Sequence, residues 1–272
     1  MMAGQFRMLR CSVAGVEAVE AETCHVFPRH WHDQYGIGVV QRGAQKSLSG
    51  RGMVEAGPGD TITVNPGEVH DGMPIGDHGR AWYMLYFDPA LIVQAFVDMR
   101  EGHSGDYELA YPVLRDGAVA RHFLQLYRSM TGIDGDASTL RREELLLGLL
   151  AVIVRERGQQ AAPLTVSSAI HRVRALIDDE PTAPMDLARL AAASGLSRFQ
   201  VLRGFVRATG LTPHAYLMQR RTDLARRLIA EGALLADAAA ASCFADQSHM
   251  TRTFVRKYGI PPGAYARAVG GR

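Results

Sequence analysis

Along the first third of the chain, apolar positions come in short bursts cut by glycine and proline. Gly36–Val40, Thr61–Val64 and Ala81–Phe87 are separated by Gly50–Gly52, Gly57–Gly59 and Asn65–Gly67. Short apolar runs with such punctuation predict β-strands over about residues 26–88, arranged as a small barrel or a double-sheet jelly roll. Trp82 and Tyr83 alternate within one of these runs, so one faces a core and the other is free to face a pocket. From Pro89 the period changes, and Pro89–Met99, Gly117–Met130 and Thr139–Arg157 read as helices. In the last of these, Leu145, Leu149, Val152 and Ile153 share a stripe that Leu146, Leu147 and Leu150 widen. A helix so broadly apolar must be buried, against its own barrel or against a second subunit.

The polar, Pro-terminated stretch 158–163 interrupts the pattern and marks a domain boundary, giving units 1–160 and 161–272. Beyond it the chain reads helical: Ser168–Asp179, Pro184–Ala193, Ser197–Ala208, Pro213–Glu231, Ala233–Ser242, Gln247–Tyr258 and a short helix after Pro261-Pro262. The expected fold class is therefore α+β and multidomain: a β jelly roll with helices, then an all-α domain.

Composition changes this picture little. Hydrophobic residues are 47% and charged residues 21%, as in ordinary globular proteins. The longest apolar run, Leu145–Val154, is too short to span a bilayer, and MMAGQFRMLR carries no apolar signal region. Cys11, Cys24 and Cys243 lack metal-site spacing and are expected to be reduced thiols in a cytoplasmic protein. Charge is more informative. Residues 1–164 hold 15 Lys/Arg and 20 Asp/Glu, whereas residues 165–272 hold 15 and 8, and all but one of the latter cations, Lys257, are Arg. A basic domain beside an acidic one fits a nucleic-acid binder with a separate sensing part, although a solvated charged surface gives the same arithmetic.

The helical half contains a specific pattern. Ala191, Gly195 and Val201 have the spacing of a helix-turn-helix: a small residue for close approach, a glycine for a left-handed turn, an apolar residue to lock the second helix. Ser197 is placed to cap that helix, Val201 and Phe205 face its core, and Arg198, Phe199, Gln200, Arg203 and Arg207 lie on other faces. One such motif is equally compatible with a plain helical hairpin. About 48 residues later the pattern recurs, with Met250 and Phe254 as the core pair and Gln247, Ser248, His249 and Arg252 off that face. Both second helices end alike, in Phe-Val-Arg, then Gly210 or Gly259, then Pro213 or Pro262. Two such units about 34 Å apart would reach successive major grooves.

Residues 168–267 resemble the AraC/XylS family of bacterial transcription regulators. The resemblance rests on Cys243-Phe-Ala-Asp-Gln-Ser-His-Met-Thr-Arg-Thr-Phe254 and Tyr258-Gly-Ile-Pro-Pro-Gly-Ala-Tyr265. It implies two helix-turn-helix units joined by a long helix at about Pro213–Glu231. Base contacts would come from Phe199, Gln200, Leu202 and Arg203 in the first unit, with Arg207 beside them, and from Gln247, Ser248, His249 and Arg252 in the second. Where the family usually has Gly, this chain has Cys243, at a cost of about 1 kcal/mol if the turn needs positive φ.

In the N-terminal half, Phe27-Pro-Arg-His30-Trp-His32-Asp-Gln-Tyr35 with Gln41-Arg-Gly43 resembles a first cupin motif, and Gly59-Asp60 through Asn65-Pro-Gly-Glu-Val-His70 a second. His30, His32 and His70 take the places of three cupin ligands, but the Glu position falls near Ile37, which cannot ligate. The resemblance implies a cupin-like sensor binding a small organic effector, with His30, His32, Tyr35, His70 and Trp82 as the contact set and no metal or other cofactor. Three imidazoles are nonetheless a chemically competent set for Zn²⁺ or Fe²⁺. Each has a plainer role open to it, His32 as a hydrogen-bonded residue of the sheet and Glu68 as an exposed loop carboxylate.

Taken together, the expectation is a cytoplasmic, non-enzymatic transcription regulator, most simply an activator. Its expected partners are double-stranded promoter DNA, a small-molecule effector, RNA polymerase and a second copy of itself docked through residues 117–157, with no membrane. A metal-dependent cupin enzyme with a DNA-binding tail and an effector-free architectural DNA binder are the alternatives.

Overall fold

The computed structural model describes residues 5–76, 78–99, 107–133, 139–156 and 168–269. The chain divides into two compact units, Met1–Gly158 and Gln159–Arg272.

The first unit contains β1 (Gln5–Leu9), β2 (Val16–Thr23), β3 (Phe27–His30), β4 (Tyr35–Arg42), β5 (Ala44–Ser49), β6 (Gly52–Ala56), β7 (Thr61–Val64), β8 (His70–Ile75) and β9 (Arg80–Phe87). These are followed by α1 (Pro89–Met99), β10 (Tyr107–Leu109), β11 (Val113–Leu114), α2 (Gly117–Thr131), α3 (Thr139–Ile153) and β12 (Val154–Glu156). Antiparallel pairing builds a six-stranded sheet, β1-β2-β9-β4-β7-β11, and a four-stranded sheet, β3-β8-β5-β6; β10 and β12 form a ribbon.

The middle strands of the larger sheet, β9 and β4, are buried on both faces, and strand alternation sorts their residues. On β9, Tyr83, Leu85 and Phe87 meet the helices, in a core with Phe123, Leu126, Tyr127, Leu145, Leu149 and Ile153. Trp82, Met84 and Tyr86 face the smaller sheet, in a second core with Phe27, Val40, Ala56 and Ile62. Trp82 thus belongs to the interior between the sheets, and Tyr83 stacks on Tyr127 with ring centroids 4.8 Å apart.

Three details depart from the sequence pattern. Strands β1 and β2 precede the predicted β region; in Val16–Thr23 the alternating apolar positions include two alanines, so the hydrophobic signal is weak although Ala18 and Ala21 are fully buried. The end of the long helix is strand β12 instead, drawn into pairing with β10. Of the predicted stripe, Leu145, Leu149 and Ile153 are 4%, 1% and 0% exposed and pack inside their own unit, whereas Val152 is 63% exposed. Gly148 makes this packing possible, because a Cβ there would come 2.8 Å from the His122 ring of α2.

The second unit is helical: α4 (Ser168–Asp179), α5 (Leu187–Ser194), α6 (Arg198–Thr209), α7 (Pro213–Ala230), α8 (Leu235–Ala241), α9 (Gln247–Tyr258) and α10 (Pro262–Val269). α5–α6 and α8–α9 are the two helical hairpins, each packed with the 18-residue α7, about 27 Å long at 1.5 Å per residue. A two-sheet unit with helices followed by an all-helical unit is the fold class that the sequence pattern predicts. Among the described residues no helix is long and apolar enough to cross a membrane.

Replacing Leu149 by Ala is expected to cost 2–5 kcal/mol, roughly the range for emptying a close-packed core site. Urea unfolding followed with sedimentation checks this. Loss of the folded first unit, rather than dissociation of a folded subunit, is the expected outcome.

Candidate DNA interface and sensor site

The two helical hairpins are built by the same local chemistry. Gly195 ends α5 at φ 71°, and a Cβ there would meet nothing within 4 Å, so its requirement is purely conformational. Ser197 then caps α6 in a reciprocal box: its hydroxyl accepts the Gln200 amide (3.2 Å), and Gln200 Oε1 accepts the Ser197 amide (2.9 Å). In the second hairpin the turn passes through Cys243 at φ 55°, the one non-glycine residue with positive φ among the described residues. Its strain is held by neighbours: Arg221 donates to the Cys243 carbonyl (3.1 Å) and to Pro181 O (2.8 Å), and the thiol lies 3.2 Å from Thr182 O. Asp246 caps α9 by accepting the His249 amide at 2.6 Å.

Caps, core residues and helix stops recur at one constant offset: Ser197 with Asp246, Val201 with Met250, Phe205 with Phe254, Gly210 with Gly259, Pro213 with Pro262. That offset also pairs Arg203 with Arg252 and Arg207 with Arg256. Phe199, Arg203 and Arg207 lie four apart on α6, as Ser248, Arg252 and Arg256 do on α9, and all six are exposed. The Arg203 guanidinium lies 5.5 Å from the centre of the Phe199 ring, which is 65% exposed.

The arginines divide into two groups. Arg174, Arg189 and Arg220 bind Tyr216, Glu180 and Asp178 and clasp α4, α5 and α7 together. Arg198, Arg207, Arg252 and Arg256 have no carboxylate partner among the described residues. Lys257 is not part of the basic surface. It is buried in an ion pair with Asp223 of α7, whose carboxylate also accepts from Tyr258.

Of the nine residues expected at DNA, Phe199, Arg203, Arg207, Gln247, Ser248 and Arg252 are freely exposed. Gln200 is exposed with its amide oxygen engaged in the cap. Leu202 is half-buried, and His249 is half-buried edge-on against Phe244, with centroids 5.3 Å apart.

In the first unit, His30 and His70 sit opposite one another on β3 and β8, with ring centroids 4.5 Å apart. His32, in the turn after β3, comes within 4.9 Å of the His30 ring and 5.4 Å of the His70 ring. Their ligand atoms all lie within 4.8 Å of one another. His30 Nδ1 faces Pro28 O (2.7 Å) and His70 Nδ1 faces Glu68 O (2.8 Å). A carbonyl only accepts, so Nδ1 carries the proton in both rings and Nε2 carries the lone pair. Burial pushes the His70 imidazole below its ordinary pKa and keeps it neutral.

Glu68 is not a free loop carboxylate. Its side chain is 11% exposed and accepts from Arg51 Nε at 2.7 Å. Burial raises its pKa, but the hydrogen bond and charge of Arg51 outweigh this and hold the carboxyl below its ordinary range. Arg51 also donates to Leu109 O and Thr63 O, both at 3.0 Å, and Asn65 exchanges hydrogen bonds with Leu109. This clasp fixes the loop that presents His70, and no cue in the sequence pointed to Arg51.

Trp82 lies in the same inter-sheet interior, with Tyr86 5.1 Å from the His32 ring. Tyr35 does not join them. It packs in the helix-side core and donates to Tyr107 O at 2.9 Å. Ile37 also points to that core, and the inward positions of β4 are Gly36 and Gly38, packed against Met84, and the apolar Val40, none of which can ligate. The sequence reading therefore missed that β4 offers no ligating side chain to the three imidazoles.

Residues 13–150 match the model of the AraC-like ligand binding domain, and residues 190–268 match that of a helix-turn-helix domain. The chain is 28% identical over 230 residues to the HTH-type transcriptional regulator YbfI of Bacillus subtilis (strain 168), covering 82% of this chain and 81% of that one. It is 35% identical over 109 residues to the transcriptional activator NphR of Rhodococcus sp, covering 39% and 32%. Among solved structures, wild-type ToxT from Vibrio cholerae strain SCE256 with an unsaturated fatty acid bound superimposes with a TM-score of 0.56 at 12% identity. That match covers 100% of this chain and 98% of that one, a likeness of fold.

Replacing Cys243 by Gly is expected to stabilise the second unit by about 1 kcal/mol, and Gly195→Ala to destabilise it by about as much, since each changes the cost of a left-handed residue. Thermal unfolding of the two variants beside the parent protein measures both.

Proposed function

The chain belongs to the AraC family of DNA-binding transcription regulators with an N-terminal ligand-binding domain, and on that premise we propose that it is an effector-controlled activator acting as a homodimer. In this reading residues 161–272 read promoter DNA and residues 1–160 sense a small molecule and carry the dimer contacts. RNA polymerase is the partner that activation requires. The observation that carries the reading is the matched pair of exposed stripes, Phe199/Arg203/Arg207 and Ser248/Arg252/Arg256, on helices with identical core, cap and stop positions. Arg forks suit guanine edges and phosphates, and a stripe of them on a helix that opens with its own cap suits a major groove.

Arg203 and Arg252 are assigned to base edges, with Phe199, Gln200, Leu202, Gln247, Ser248 and His249 beside them and Arg207 on the phosphates. On the sensing side, His30, His32, His70 and Trp82 surround the effector. Tyr35 shapes the unit from its helix-side core. The fatty-acid-bound form of ToxT, whose fold this chain shares, supports a small organic ligand in this domain. The effector shifts DNA occupancy only by as much as its affinity differs between the two states of the sensor.

Selection of bound fragments from genomic DNA identifies the site. On that site Arg203→Ala and Arg252→Ala are each expected to cost roughly 1–3 kcal/mol and to relax the preference at single base positions. Equal losses on random DNA would make them phosphate contacts instead. A metabolite screen by thermal shift tests the sensor: a ligand at 100 times its Kd adds about 2.7 kcal/mol.

A second reading of the sensor is favoured by the convergence of the three imidazoles. His30, His32 and His70 would hold a divalent metal ion, which when bound would supply a Lewis-acidic anchor for an oxygen ligand. Metal analysis of the purified protein and of His70→Ala separates the readings. Stoichiometric metal lost in the variant is the outcome that the metal reading requires.

A further inference from the structure

Arg80 opens β9 on the face that carries Trp82, Met84 and Tyr86, so its side chain enters the interior between the sheets. It is 2% exposed and heads the fully buried side chains by volume. A guanidinium has five N–H donors and no acceptor. Here Nη1 reaches His25 O at a long 3.3 Å, and Nε is buried without a hydrogen-bond partner. Among the described residues no carboxylate pairs with it. Burial draws its pKa down to about 10, still far above neutrality, so the group remains a cation.

What surrounds this cation is aromatic. Its central carbon lies 4.9 Å from the centre of the Trp82 ring and 5.7 Å from that of Phe27, and Phe6 meets both rings edge-on at 5.9 Å. The rings hold the guanidinium and supply an apolar wall, but they do not engage its N–H edge. On the β8 side the neighbour is Gly72, where an added Cβ would stand 3.4 Å from Nη2, so residue 72 itself places no side chain over that edge. A buried cation is normally paired, because desolvation without a counter-charge costs several kcal/mol. The other buried cation among the described residues obeys the rule, Lys257 having Asp223, and half-buried Arg51 has Glu68.

We propose that Arg80 is the anion-binding residue of the sensor unit, and that the effector is a small carboxylic acid with an apolar body. The carboxylate accepts from the N–H edge of Arg80, in the two-pronged manner that guanidinium geometry favours, and the apolar body lies against Phe27, Trp82 and Phe6. The inference rests on the reading of this unit as a small-molecule sensor and names the chemistry of what it senses. It also gives the buried charge a purpose: the apo unit carries an unmet electrostatic demand that only an anion relieves, so neutral metabolites of similar shape are rejected.

The test is thermal unfolding of the full chain and of Arg80→Met, with benzoate and octanoate as probes and benzamide and octanamide as neutral counterparts. Without ligand, Arg80→Met is expected to unfold at higher temperature than the parent, since an apolar side chain of similar length replaces an unpaired buried charge. At least one acid is expected to raise the Tm of the parent while its amide does not, and Arg80→Met is expected to respond to neither. A lower Tm for unliganded Arg80→Met would mean that the guanidinium is already satisfied and would overturn the proposal. Acid-induced stabilisation that persists in Arg80→Met overturns it as well. Amides that stabilise as well as acids, or a parent silent to all four probes, also overturn it and leave the sensor reading to be judged by the metabolite screen.

Discussion

The first unit depends on one constraint: the middle strands of the larger sheet, β9 and β4, have no solvent face. Because β9 and β4 are buried on both sides, each residue is assigned by strand alternation to one of two interiors with different contents. One is sealed by α2 and α3 and is purely packing, with Phe87, Leu85, Phe123 and Leu126 almost inaccessible. The other, between the sheets, holds the three imidazoles, an unpaired guanidinium and aromatic rings. A single strand therefore anchors the scaffold with its odd-numbered residues and lines the sensing interior with its even-numbered ones. Any displacement of β9 would be felt in both cores at once, because its two faces pack in both.

Polar groups are rationed accordingly. The Arg51–Glu68–Asn65 clasp holds the loop before β8, and backbone carbonyls fix the protonated nitrogens of His30 and His70. These interactions orient the rings of His30 and His70, and burial keeps His70 neutral. Arg80 differs because nothing in the described structure neutralises it.

In the second unit, the division of labour among arginines separates scaffold from interface. Arg172, Arg174, Arg189, Arg220 and Arg221 on α4, α5 and α7 are spent on carboxylates, a tyrosine and carbonyls inside the unit, and one of them, Arg221, supports the strained Cys243 turn. Those on α6 and α9 keep their forks outward. The net positive charge of this half of the chain is thus an average over arginines engaged inside the unit and arginines left at the surface, and the exposed ones on α6 and α9 belong to the second group.

The sequence by itself determined the elements whose chemistry is local. Helix stops at Gly210 and Gly259, the cap at Ser197, the core pairs Val201/Phe205 and Met250/Phe254, and the two histidine motifs are all written in residues a few positions apart. The left-handed turn at Cys243 is not written locally: only the resemblance to the AraC/XylS family, which usually has Gly there, pointed to it, and the structure gives it φ 55°. What only the tertiary structure decided concerns facing. A period of two says that Trp82 and Tyr83 point opposite ways, but when both sides are apolar it does not say which side is the pocket. Tyr35 and Ile37 therefore turned out to face the helices, with Gly36 and Gly38 inward. The apolar stripe of α3 fitted a partner or its own sheet equally well until packing against α2 and the sheet buried Leu145, Leu149 and Ile153 and left Val152 at the surface. Glu68 and Arg51 are 17 residues apart and Arg80 and Phe27 meet across strands; pairing and isolation of buried charge are properties of the closed sheets, because only closure removes the water that would otherwise have solvated them.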